Sequence, residues 1–446
     1  MQLVLLSGGS GKRLWPLSNN ARSKQFLHLL ASPNGELESM IQRVVRQIGS
    51  SMLDVAITVA TNSSQRDSII NQLGSEVNIV IEPERRDTFP AIALASVFLS
   101  KENKCSDDEV VVVMPCDVYT DVGYFDTISQ MVMALQKDEA DLVLMGINPT
   151  YPSEKFGYII PEPDNNNAVS SKVKSFTEKP NTDRASELLS VGACWNGGVF
   201  AFKLGYLLKV VNKYLNYTTY DDVLAQYAKL PKISFDYEVV EKAEHVSFVR
   251  FHGKWKDLGT WNTLCEELPS SCIGNVYMGN SNKNTHVVNE LGLPLFCDGL
   301  NDVVIAASPD GIMVCGKEQS EKIKDYVSNL EHRPMYEERR WGTYRVLDET
   351  SYSDGTKALT KSLQIKAGKS ISYQVHHCRN EVWTIVYGLG EFVLNGERQT
   401  VKRGDVLNIP CENYHAIRAI SDLTIIEVQT GNPLIEEDIE RFDWTW

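Results

Sequence analysis

The chain contains 446 residues, of which 43% are apolar and 23% are charged, and its formal net charge at pH 7 is −14. This composition is typical of a folded protein with two or three domains and excludes a disordered or fibrous chain. The acidic balance argues against nucleic acid as a partner, and no apolar run approaches the length of a membrane span. Nine scattered cysteines without paired spacing favour a reducing compartment, so we expect a cytoplasmic protein.

A glycine-rich loop follows the first predicted strand. The apolar run LVLL at 3–6 predicts a buried strand of a parallel sheet, and GGSGKR follows at 8–13. Glycine lets the backbone approach a ligand closely, and successive N–H groups form an anion-binding nest that lysine and arginine would strengthen. The spacing matches neither G-x-x-x-x-G-K-[ST] nor G-x-G-x-x-G. The loop therefore predicts phosphate binding, with an ordinary glycine-rich turn as the alternative.

Strand-like and helix-like segments alternate from the start of the chain to about residue 265. Strands are predicted in VAITVAT, VNIVIEP, EVVVVMPCD, DLVLMGI, GGVFAFK and VSFVRFHG, and helices in DTFPAIALASVFLSK and TISQMVMALQKDEA. The alternation indicates an α/β domain with a Rossmann-like, mostly parallel sheet and helices on both faces. Ligands of such sheets bind beyond the carboxyl ends of the strands, so the glycine loop, EPERRD and PCD could line one crevice.

Two aspartates are candidates for a magnesium site. Asp117 follows the apolar strand VVVM, and Asp257 lies in WKDLGTW near the end of the domain. Carboxylates from two strands can hold Mg²⁺ between phosphates. For any single aspartate a helix cap or a turn is the more common role, and that alternative stays open.

Two further segments carry side chains suited to a sugar phosphate. In FTEKP, Lys179 could bind the phosphate while Glu178 accepts hydrogen bonds from sugar hydroxyls. A solvated charge pair in a turn is the alternative. Asn196 lies in CWNGGVFAF, and its amide can both donate and accept hydrogen bonds. Each of these signals is weak alone.

The composition changes after the α/β region. Residues 268–325 contain short strands separated by glycine, asparagine and aspartate turns, and KEQSEKIKDYVSNLEHRPMYEERR predicts a helix that runs into a linker. The remaining chain predicts short strands joined by tight turns, including the Asn-Gly hairpin signal in LNGERQTV. We expect an α/β domain at 1–267, a short β-helix-like segment with a linker helix at 268–330, and a small β-barrel at 331–446.

The barrel segment carries a candidate metal site. In SYQVHHCRNEVW the strand alternation puts Gln374 and His376 on one face and His377 on the other. Glu381 follows shortly, and His415 arrives on a later strand. Gln374, His376, Glu381 and His415 could form a mixed nitrogen and oxygen site for Zn²⁺ or a similar divalent ion. Two close histidines on a strand are otherwise more often surface residues, but the fuller spacing favours the metal.

Taken in order, a series of motifs carries a family resemblance. The motifs are LLSGGSGKRLWPLSNNARSKQF, IEPERRDTFPAIALA, MPCD, FGYI, FTEKP, WNGGVFAF, FDYEVVEK and WKDLGTW. Together they closely resemble the mannose-1-phosphate guanylyltransferases. The resemblance continues through RRWGTYRVLD, and it matches the long bacterial form with a C-terminal cupin of the type II phosphomannose isomerases. It implies transfer of a guanylyl group from GTP to mannose 1-phosphate, with Mg²⁺ required and pyrophosphate released.

The resemblance implies roles for matching residues in the transfer site. Those implied to wrap the triphosphate are Gly8, Gly9, Gly11 and Arg13, with Lys24 nearby. Those implied to place the nucleotide are Glu82, Arg86 and Thr88. The implied magnesium ligands are Asp117 and Asp257, and the implied sugar-phosphate contacts are Gly157, Glu178, Lys179 and Asn196. In the cupin, which would interconvert mannose 6-phosphate and fructose 6-phosphate, Arg379 matches an arginine of the family and is a candidate substrate contact.

The match is not complete. Ser23 stands where the family usually has proline, and Asp87 stands where asparagine is usual, which replaces an amide by a group that only accepts hydrogen bonds. That second change could alter the nucleotide preference. In the cupin, the usual motif H-H-H-R-x-E-H is changed at Cys378 and Val382, and Glu412 replaces a common glycine. The four proposed metal ligands survive, but isomerase activity stays open.

Three interpretations follow. The first is an enzyme that forms GDP-mannose and also isomerises mannose 6-phosphate if the cupin works. The second is a nucleotidyltransferase for a different sugar 1-phosphate with a non-catalytic cupin. The third is a non-catalytic sensor of sugar nucleotides, which the presence of Arg13, Lys179, Asp117 and Asp257 disfavours. We expect a homodimer or a higher homo-oligomer, with 268–325 as a candidate interface.

Overall fold

The computed structural model describes residues 1–9, 11–137, 140–163, 169–328, 330, 333–436 and 438–446. The chain forms two compact units. The first unit contains Met1–Leu14 and Ser23–Pro269, and the second contains Trp15–Arg22 and Ser270–Trp446. Among the residues described, no helix has the length and apolar character needed to cross a membrane.

The first unit alternates strands and helices. Its strands are β1 (Gln2–Leu6), β2 (Leu30–Ala31), β3 (Leu37–Glu38), β4 (Ala56–Asn62), β5 (Asn78–Glu82), β6 (Val110–Pro115), β7 (Val118–Thr120), β8 (Leu142–Ile147), β9 (Tyr158–Pro161), β10 (Ser170–Thr177), β11 (Cys194–Lys203), β12 (Val246–Phe251) and β13 (Trp255–Asp257). Its α-helices are α1 (Met40–Ser50), α2 (Arg66–Leu73), α3 (Thr88–Lys101), α4 (Gly123–Lys137), α5 (Thr182–Ser190), α6 (Leu204–Val211), α7 (Tyr220–Gln226), α8 (Phe235–Glu238) and α9 (Trp261–Cys265). Short 3₁₀ helices cover Gly11–Leu14, Lys24–Phe26, Ser63–Gln65, Tyr227–Lys229 and Val240–Lys242.

A mixed nine-stranded sheet forms the centre of the first unit, in the order β5-β4-β1-β6-β11-β8-β12-β10-β9. The strands β5, β4, β1 and β6 are parallel, and so are β8 and β12. Two strands run antiparallel to both of their neighbours, namely β11 between β6 and β8 and β10 between β12 and β9. Apolar side chains cover both faces, because hydrophobic clusters contain buried residues from the central strands together with α3 on one side and α4 on the other.

The second unit is built almost entirely from strands. They are β14 (Cys272–Gly274), β15 (Val276–Met278), β16 (His286–Asn289), β17 (Leu295–Cys297), β18 (Val303–Ser308), β19 (Gly311–Gly316), β20 (Tyr336–Arg339), β21 (Gly342–Ser351), β22 (Lys357–Ile365), β23 (Ser370–Val375), β24 (Arg379–Tyr387), β25 (Leu389–Leu394), β26 (Glu397–Lys402), β27 (Val406–Ile409), β28 (His415–Ala419), β29 (Leu423–Gly431) and β30 (Glu440–Phe442). A 3₁₀ helix over Glu318–Lys322 leads into the short helix α10 (Ile323–Val327).

The strands up to β19 form the β-helix-like part. β14, β16 and β18 pair in parallel, β15 pairs in parallel with β17, and β19 closes the edge as an antiparallel partner of β18. The segment Trp15–Arg22 packs here, although it directly follows the glycine loop in sequence. The Arg22 guanidinium is bidentate to Glu290 at 2.7 and 3.0 Å, and Asn19 donates to Asp310 at 2.7 Å.

Two sheets form the cupin. One has the order β20-β21-β22-β29-β24-β27 and the other β26-β25-β28-β23-β30. Alternate residues point inwards, and one core cluster joins side chains of both sheets, including Trp383, Phe392 and Ile417. The predicted α/β, β-helix-like and β-barrel architecture is confirmed. The prediction that MYEERR lies in a linker is wrong, since Tyr336–Arg339 pairs with β21 as a regular antiparallel strand.

Candidate active site

The first group of candidate residues lies where two very short strands pair. Asp117 follows the buried strand β6, and β7 begins directly after it. β7 pairs antiparallel with β13, which places Asp257 opposite Val118 and therefore beside Asp117. Lys24 joins the two carboxylates, with its Nζ 2.6 Å from Asp117 Oδ2 and 3.3 Å from Asp257 Oδ1. The structure thus brings together three residues that are more than 90 positions apart in sequence.

This cluster is acidic, polar and partly open to solvent. Burial alone would lower the pKa of the Lys24 ammonium, but the two carboxylates more than offset that, and its pKa is raised. Lys24 is therefore a fixed cation. The exposed fractions of the side chains of Asp117 and Asp257 are 28% and 42%. Two accessible carboxylates on adjacent strands are a donor set that suits a hard divalent cation sharing its remaining positions with phosphates and water.

Two side chains hold the glycine loop in place through hydrogen bonds to its backbone. Ser23 Oγ donates to the Gly9 carbonyl at 3.1 Å, and Gln65 Nε2 donates to the same oxygen at 3.3 Å. A Cβ at Gly8 would lie 3.1 Å from Glu82 Oε1, tighter than an ordinary contact. Gly11 and Arg13 belong to the 3₁₀ helix over Gly11–Leu14, and the Arg13 side chain is exposed. Ser23, which stands in place of the family's proline, therefore helps to position the loop.

The three residues expected to place the nucleotide occupy different surroundings. Glu82 is buried and accepts a hydrogen bond from the Tyr227 hydroxyl at 2.8 Å, and burial raises the pKa of its carboxyl to about 7. Thr88 opens α3, and its Oγ1 accepts from the Phe235 amide at 2.8 Å. Arg86 donates through Nε and Nη2 to the Leu230 carbonyl, at 3.2 and 3.0 Å.

Arg86 and Asp87, in the loop before α3, make further contacts that stabilise this loop and the start of the helix. The third guanidinium nitrogen of Arg86, Nη1, lies 2.8 Å from Glu84. Arg86 therefore ties its own loop to residue 230, and its role in nucleotide placement stays a prediction. Asp87 caps α3 by accepting from the Thr88 amide at 2.8 Å, with a left-handed φ of 77°. The ψ of −176° puts Asp87 outside the left-handed helical region that asparagine and aspartate favour, in a conformation found almost only for glycine.

The sugar-phosphate candidates also lie together. Lys179 Nζ is 2.7 Å from Glu178 Oε1, and the Glu178 side chain is only 6% exposed. A Cβ at Gly157 would lie 2.4 Å from Glu178 Oε2, so any larger residue there would displace the Glu178 carboxylate. The Asn196 amide nitrogen of the backbone donates to the Gly157 carbonyl at 2.7 Å. Residues at the end of β10, in β11 and in the chain before β9 therefore lie next to one another around the Glu178 carboxylate.

The sequence analysis missed one member of this group. Asp236 lies in α8, and its Oδ1 accepts a hydrogen bond from Asn196 Nδ2 at 2.6 Å. Burial and then the nearby Glu178 raise the pKa of Asp236 to about 6. The motif FDYEVVEK contains this residue, but nothing local links it to a partner 40 positions away. The capped start of a four-residue helix was the only local signal.

A second cluster lies inside the cupin. His376, Glu381 and His415 come from the end of β23, from β24 and from β28, and each offers one atom within 4.8 Å of the others. All three are buried. Gln374 lies beside them, with its Nε2 3.2 Å from His376 Nε2. The four predicted residues are thus buried together, although the pairing of β23 with β28 shifts register between Ile371 and Gln374 and His376 lies one residue beyond β23.

The donor atoms of this cluster fit a divalent metal. His376 Nδ1 lies 2.6 Å from the Asp438 carbonyl, which only accepts, so Nδ1 carries the hydrogen and Nε2 is the acceptor. In this structure Gln374 Nε2 and Arg379 Nη2 each lie 3.2 Å from that Nε2. His415 Nδ1 is likewise 3.0 Å from the Asn413 carbonyl. His415 Nε2 is a buried atom without a hydrogen-bond partner, 3.5 Å from Glu381 Oε2. Backbone carbonyls that fix the tautomer of both histidines are a usual outer support of metal sites.

Arg379 is bound inside the cluster. Its Nε donates to Glu381 Oε1 at 2.9 Å, and its Nη2 lies 3.2 Å from His376 Nε2. Burial alone would raise the pKa of Glu381, but the neighbouring side chains of His415, His376 and Arg379 lower it, so the group is a carboxylate. Burial lowers the pKa of His376, which favours the neutral ligand form.

The positions changed from the family motif lie outside the cluster. Val382 alternates with Glu381 along β24, and 37% of its surface is exposed. Cys378 is exposed as well. Glu412 pairs with His377 at 2.9 Å on the surface. The substitutions at 378, 382 and 412 therefore leave the inner donor set unchanged.

Comparisons with known proteins identify both parts of the chain. A family described as nucleotidyl transferase matches residues 2–271, and one described as mannose-6-phosphate isomerase C-terminal matches residues 325–444. The fold and these matches define a nucleotidyltransferase joined to a cupin-type isomerase domain. Both kinds of domain generally use divalent metals.

Full-length relatives make the assignment narrower. The alginate biosynthesis protein AlgA of Pseudomonas putida is 30% identical, over 99% of this chain and 95% of its own. A putative mannose-1-phosphate guanylyltransferase of Vibrio cholerae is also 30% identical, over 99% of both chains. A crystal structure from Thermus thermophilus, described as a mannose-1-phosphate geranyltransferase, is 26% identical, with a TM-score of 0.60, and covers 74% of this chain and 99% of its own. The chain belongs to the mannose-1-phosphate guanylyltransferases with a C-terminal mannose-6-phosphate isomerase domain, as the sequence predicted.

Proposed function

We propose that the chain transfers GMP from GTP to α-D-mannose 1-phosphate, which gives GDP-mannose and pyrophosphate. The observation that carries this proposal is the cluster of Lys24, Asp117 and Asp257, where two accessible carboxylates and a fixed ammonium meet at 2.6 and 3.3 Å. The names of the full-length relatives support the choice of substrates. Transfer is assigned to 1–267, with 268–330 as a connecting segment and 331–446 as the isomerase-like domain.

The reaction is an in-line substitution at the α-phosphorus of GTP. A phosphate oxygen of mannose 1-phosphate forms the new bond to this phosphorus, while the bond to the bridging oxygen of pyrophosphate breaks. Such a step needs positioning and neutralisation of charge more than a base. The backbone amides of Gly8, Gly9 and Gly11 bind the triphosphate, and Arg13 offsets the charge that grows on pyrophosphate.

Asp117 and Asp257 would hold Mg²⁺, which neutralises phosphate charge when it is bound. Lys24 keeps the two carboxylates close together against their mutual repulsion, since its ammonium contacts both. Lys179 binds the phosphate of the sugar, and Glu178 accepts hydrogen bonds from its hydroxyls. Glu82 and Thr88 shape the nucleotide side, and Arg86 supports it through the loop that it holds.

The test is a matrix of GTP, ATP, UTP and dTTP against mannose 1-phosphate, glucose 1-phosphate and galactose 1-phosphate, with pyrophosphate release as the signal. We expect the pair of GTP and mannose 1-phosphate to give the highest kcat/KM. A different preferred pair would support a nucleotidyltransferase for another sugar, and no turnover with any pair would support a sensor.

A second activity, isomerisation of mannose 6-phosphate, is favoured by the inner cluster of the cupin. Its basis is the buried, unpartnered His415 Nε2 beside His376 and Glu381. These residues with Gln374 would hold Zn²⁺ or another divalent ion, which polarises the sugar oxygens when it is bound. Arg379 is the candidate substrate contact. Turnover of mannose 6-phosphate by the zinc-supplemented protein tests this activity, and its absence beside active transfer would leave a non-catalytic cupin.

A further inference from the structure

We propose that Asp236 binds the sugar directly, as a second carboxylate beside Glu178 that accepts hydrogen bonds from hydroxyls of the hexose 1-phosphate. This inference rests on the proposed transfer to a sugar phosphate. It adds to the site a residue from α8, an element that none of the other candidate residues occupies.

The position of Asp236 is not explained by the helix that carries it. Ser234 is the N-cap of α8 and accepts from the Tyr237 amide at 3.3 Å, so the helix start already has its capping side chain. Asp236 instead contacts Asn196 on β11, at 2.6 Å. A contact this short ties α8 to the strand that carries the sugar-phosphate residues. The carboxylate is therefore held towards the group formed by Gly157, Glu178 and Asn196.

The side chains of this group offer more hydrogen-bond acceptors than donors. Glu178 is paired with Lys179 at 2.7 Å, and Asp236 receives the Asn196 amide. Among the described residues, Lys179 and Asn196 are the side chains that donate to the two carboxylates. Burial and the repulsion by Glu178 raise the pKa of Asp236 to about 6, although its own backbone amide, Asn196 and Lys179 oppose this rise. Sugar hydroxyls are uncharged and would supply further donors without adding a second cation.

The backbone next to Glu178 leaves space for its carboxylate. Glycine at 157 avoids a Cβ that would lie 2.4 Å from Glu178 Oε2. Asn196 is fixed at three points, since its backbone amide donates to Gly157, its Nδ2 donates to Asp236, and its Oδ1 accepts from the Gly198 amide at 3.1 Å. Side chains held in this way are pre-organised, so a sugar would meet acceptors that need no rearrangement.

A simpler role for Asp236 is to position Asn196 without touching the sugar. The two roles differ in one measurable respect. A direct contact to the sugar still contributes to binding after Asn196→Ala, whereas a role that acts through Asn196 disappears in that background.

The experiment measures KM and kcat of Asp236→Asn, alone and in the Asn196→Ala background, and of the wild-type protein with GTP and mannose 1-phosphate, and with the 2-, 3-, 4- and 6-deoxy analogues. We expect the substitution to raise KM for mannose 1-phosphate by about tenfold or more, with KM for GTP within about twofold, because a neutral amide oxygen replaces a charged acceptor. For one deoxy analogue, the variant and the wild-type protein should have nearly equal KM values. Asp221→Asn, on the exposed start of α7, is the matched control and should change neither constant.

An unchanged KM in Asp236→Asn would overturn the inference, and so would a rise that is the same for all four deoxy analogues or that disappears in the Asn196→Ala background. Thermal melting checks the fold of the variant, and Asp236→Glu, which keeps the charge, replaces it if Asp236→Asn melts early. Turnover by the wild-type protein is measured first. Without it, the proposed function fails, and the inference fails with it; with it, an unchanged variant removes the inference alone.

Discussion

The two charged clusters of this protein use similar groups in opposite surroundings. In the first unit, 28% and 42% of the side chains of Asp117 and Asp257 are exposed, and one lysine joins them. In the cupin, Glu381 and His415 are 1% and 0% exposed. An exposed pair of carboxylates adds little to stability and is available to a ligand, whereas a buried carboxylate must be fully bonded to be tolerated. Substitutions in the first cluster should therefore change activity without changing stability. Substitutions in the cupin cluster should lower the stability of the fold as well.

The largest expected effect is on transfer, from Asp117→Asn and Asp257→Asn. Each substitution keeps the shape but removes a negative charge that a divalent cation needs. We expect kcat to fall about a thousandfold, or about 4 kcal/mol, in pyrophosphate release at saturating magnesium. The melting temperature should stay the same, because both side chains are partly exposed. Asp126→Asn, on the exposed face of α4, is the control, and near-normal turnover in either variant would remove that aspartate from the site.

The sequence could predict the first cluster in part. The continuous apolar run of β6 indicates where Asp117 emerges, since a strand buried on both faces must end at the sheet edge. The pairing of β7 with β13 could not be predicted, because strands of three residues carry no usable alternation. Only the order of motifs, which carries the family resemblance, linked Asp257 to Asp117.

Contacts between distant residues explain what the sequence analysis missed. Arg86 was expected at the nucleotide, yet its guanidinium is bound by the carbonyl of Leu230, 144 residues away. The segment Trp15–Arg22 continues the glycine loop in sequence, but the ion pair of Arg22 with Glu290 places it in the second unit. Pairings of this kind depend on the tertiary fold. The cupin residues Gln374 and His376 were easier to predict, because they lie two positions apart and alternation puts such residues on one face of a strand.

The second prediction concerns the stability of the cupin. Glu381 accepts hydrogen bonds from Arg379, Trp383 and Gln429, at 2.9 to 3.1 Å. Glu381→Ala would leave the Arg379 guanidinium buried without its carboxylate, which should lower the free energy of unfolding of the second unit by about 3 kcal/mol. The measurement is chemical denaturation followed by tryptophan fluorescence. The exposed Glu397→Ala should match the wild-type protein, and equal stability of the two variants would contradict the contrast between the clusters.

The third prediction separates the two neighbouring histidines. His376 is buried in the inner cluster, whereas His377 is exposed and pairs with Glu412. His376→Ala should weaken binding of Zn²⁺ by at least about a hundredfold and abolish any isomerase activity, since a ligand is removed. His377→Ala should change neither. Metal titration with both assays on one sample checks this, with transfer expected within about twofold of wild type. Loss of transfer together with isomerisation would mean that the cupin supports the whole protein.

The smallest expected effect tests burial within the first unit itself. Glu82 is buried, and burial raises the pKa of its carboxyl from 4.5 to about 7, although the bond from Tyr227 opposes this. The folded state therefore holds the proton more tightly than the unfolded state does. The resulting stabilisation is complete below about pH 4.5 and is lost as the pH rises to about 7.

Between about pH 5 and pH 7 this loss amounts to about 2 kcal/mol of unfolding free energy. Glu82→Gln cannot titrate, so its stability should fall less over that interval than the stability of the wild-type protein. Denaturation at several pH values gives the difference, and Glu84→Gln, with a half-exposed side chain, is the control that should follow the wild-type protein. Parallel curves for Glu82→Gln and the wild-type protein would mean that this carboxyl is solvated in the folded state. In that case the Glu82 carboxyl would behave like the solvent-exposed carboxylate of Asp117.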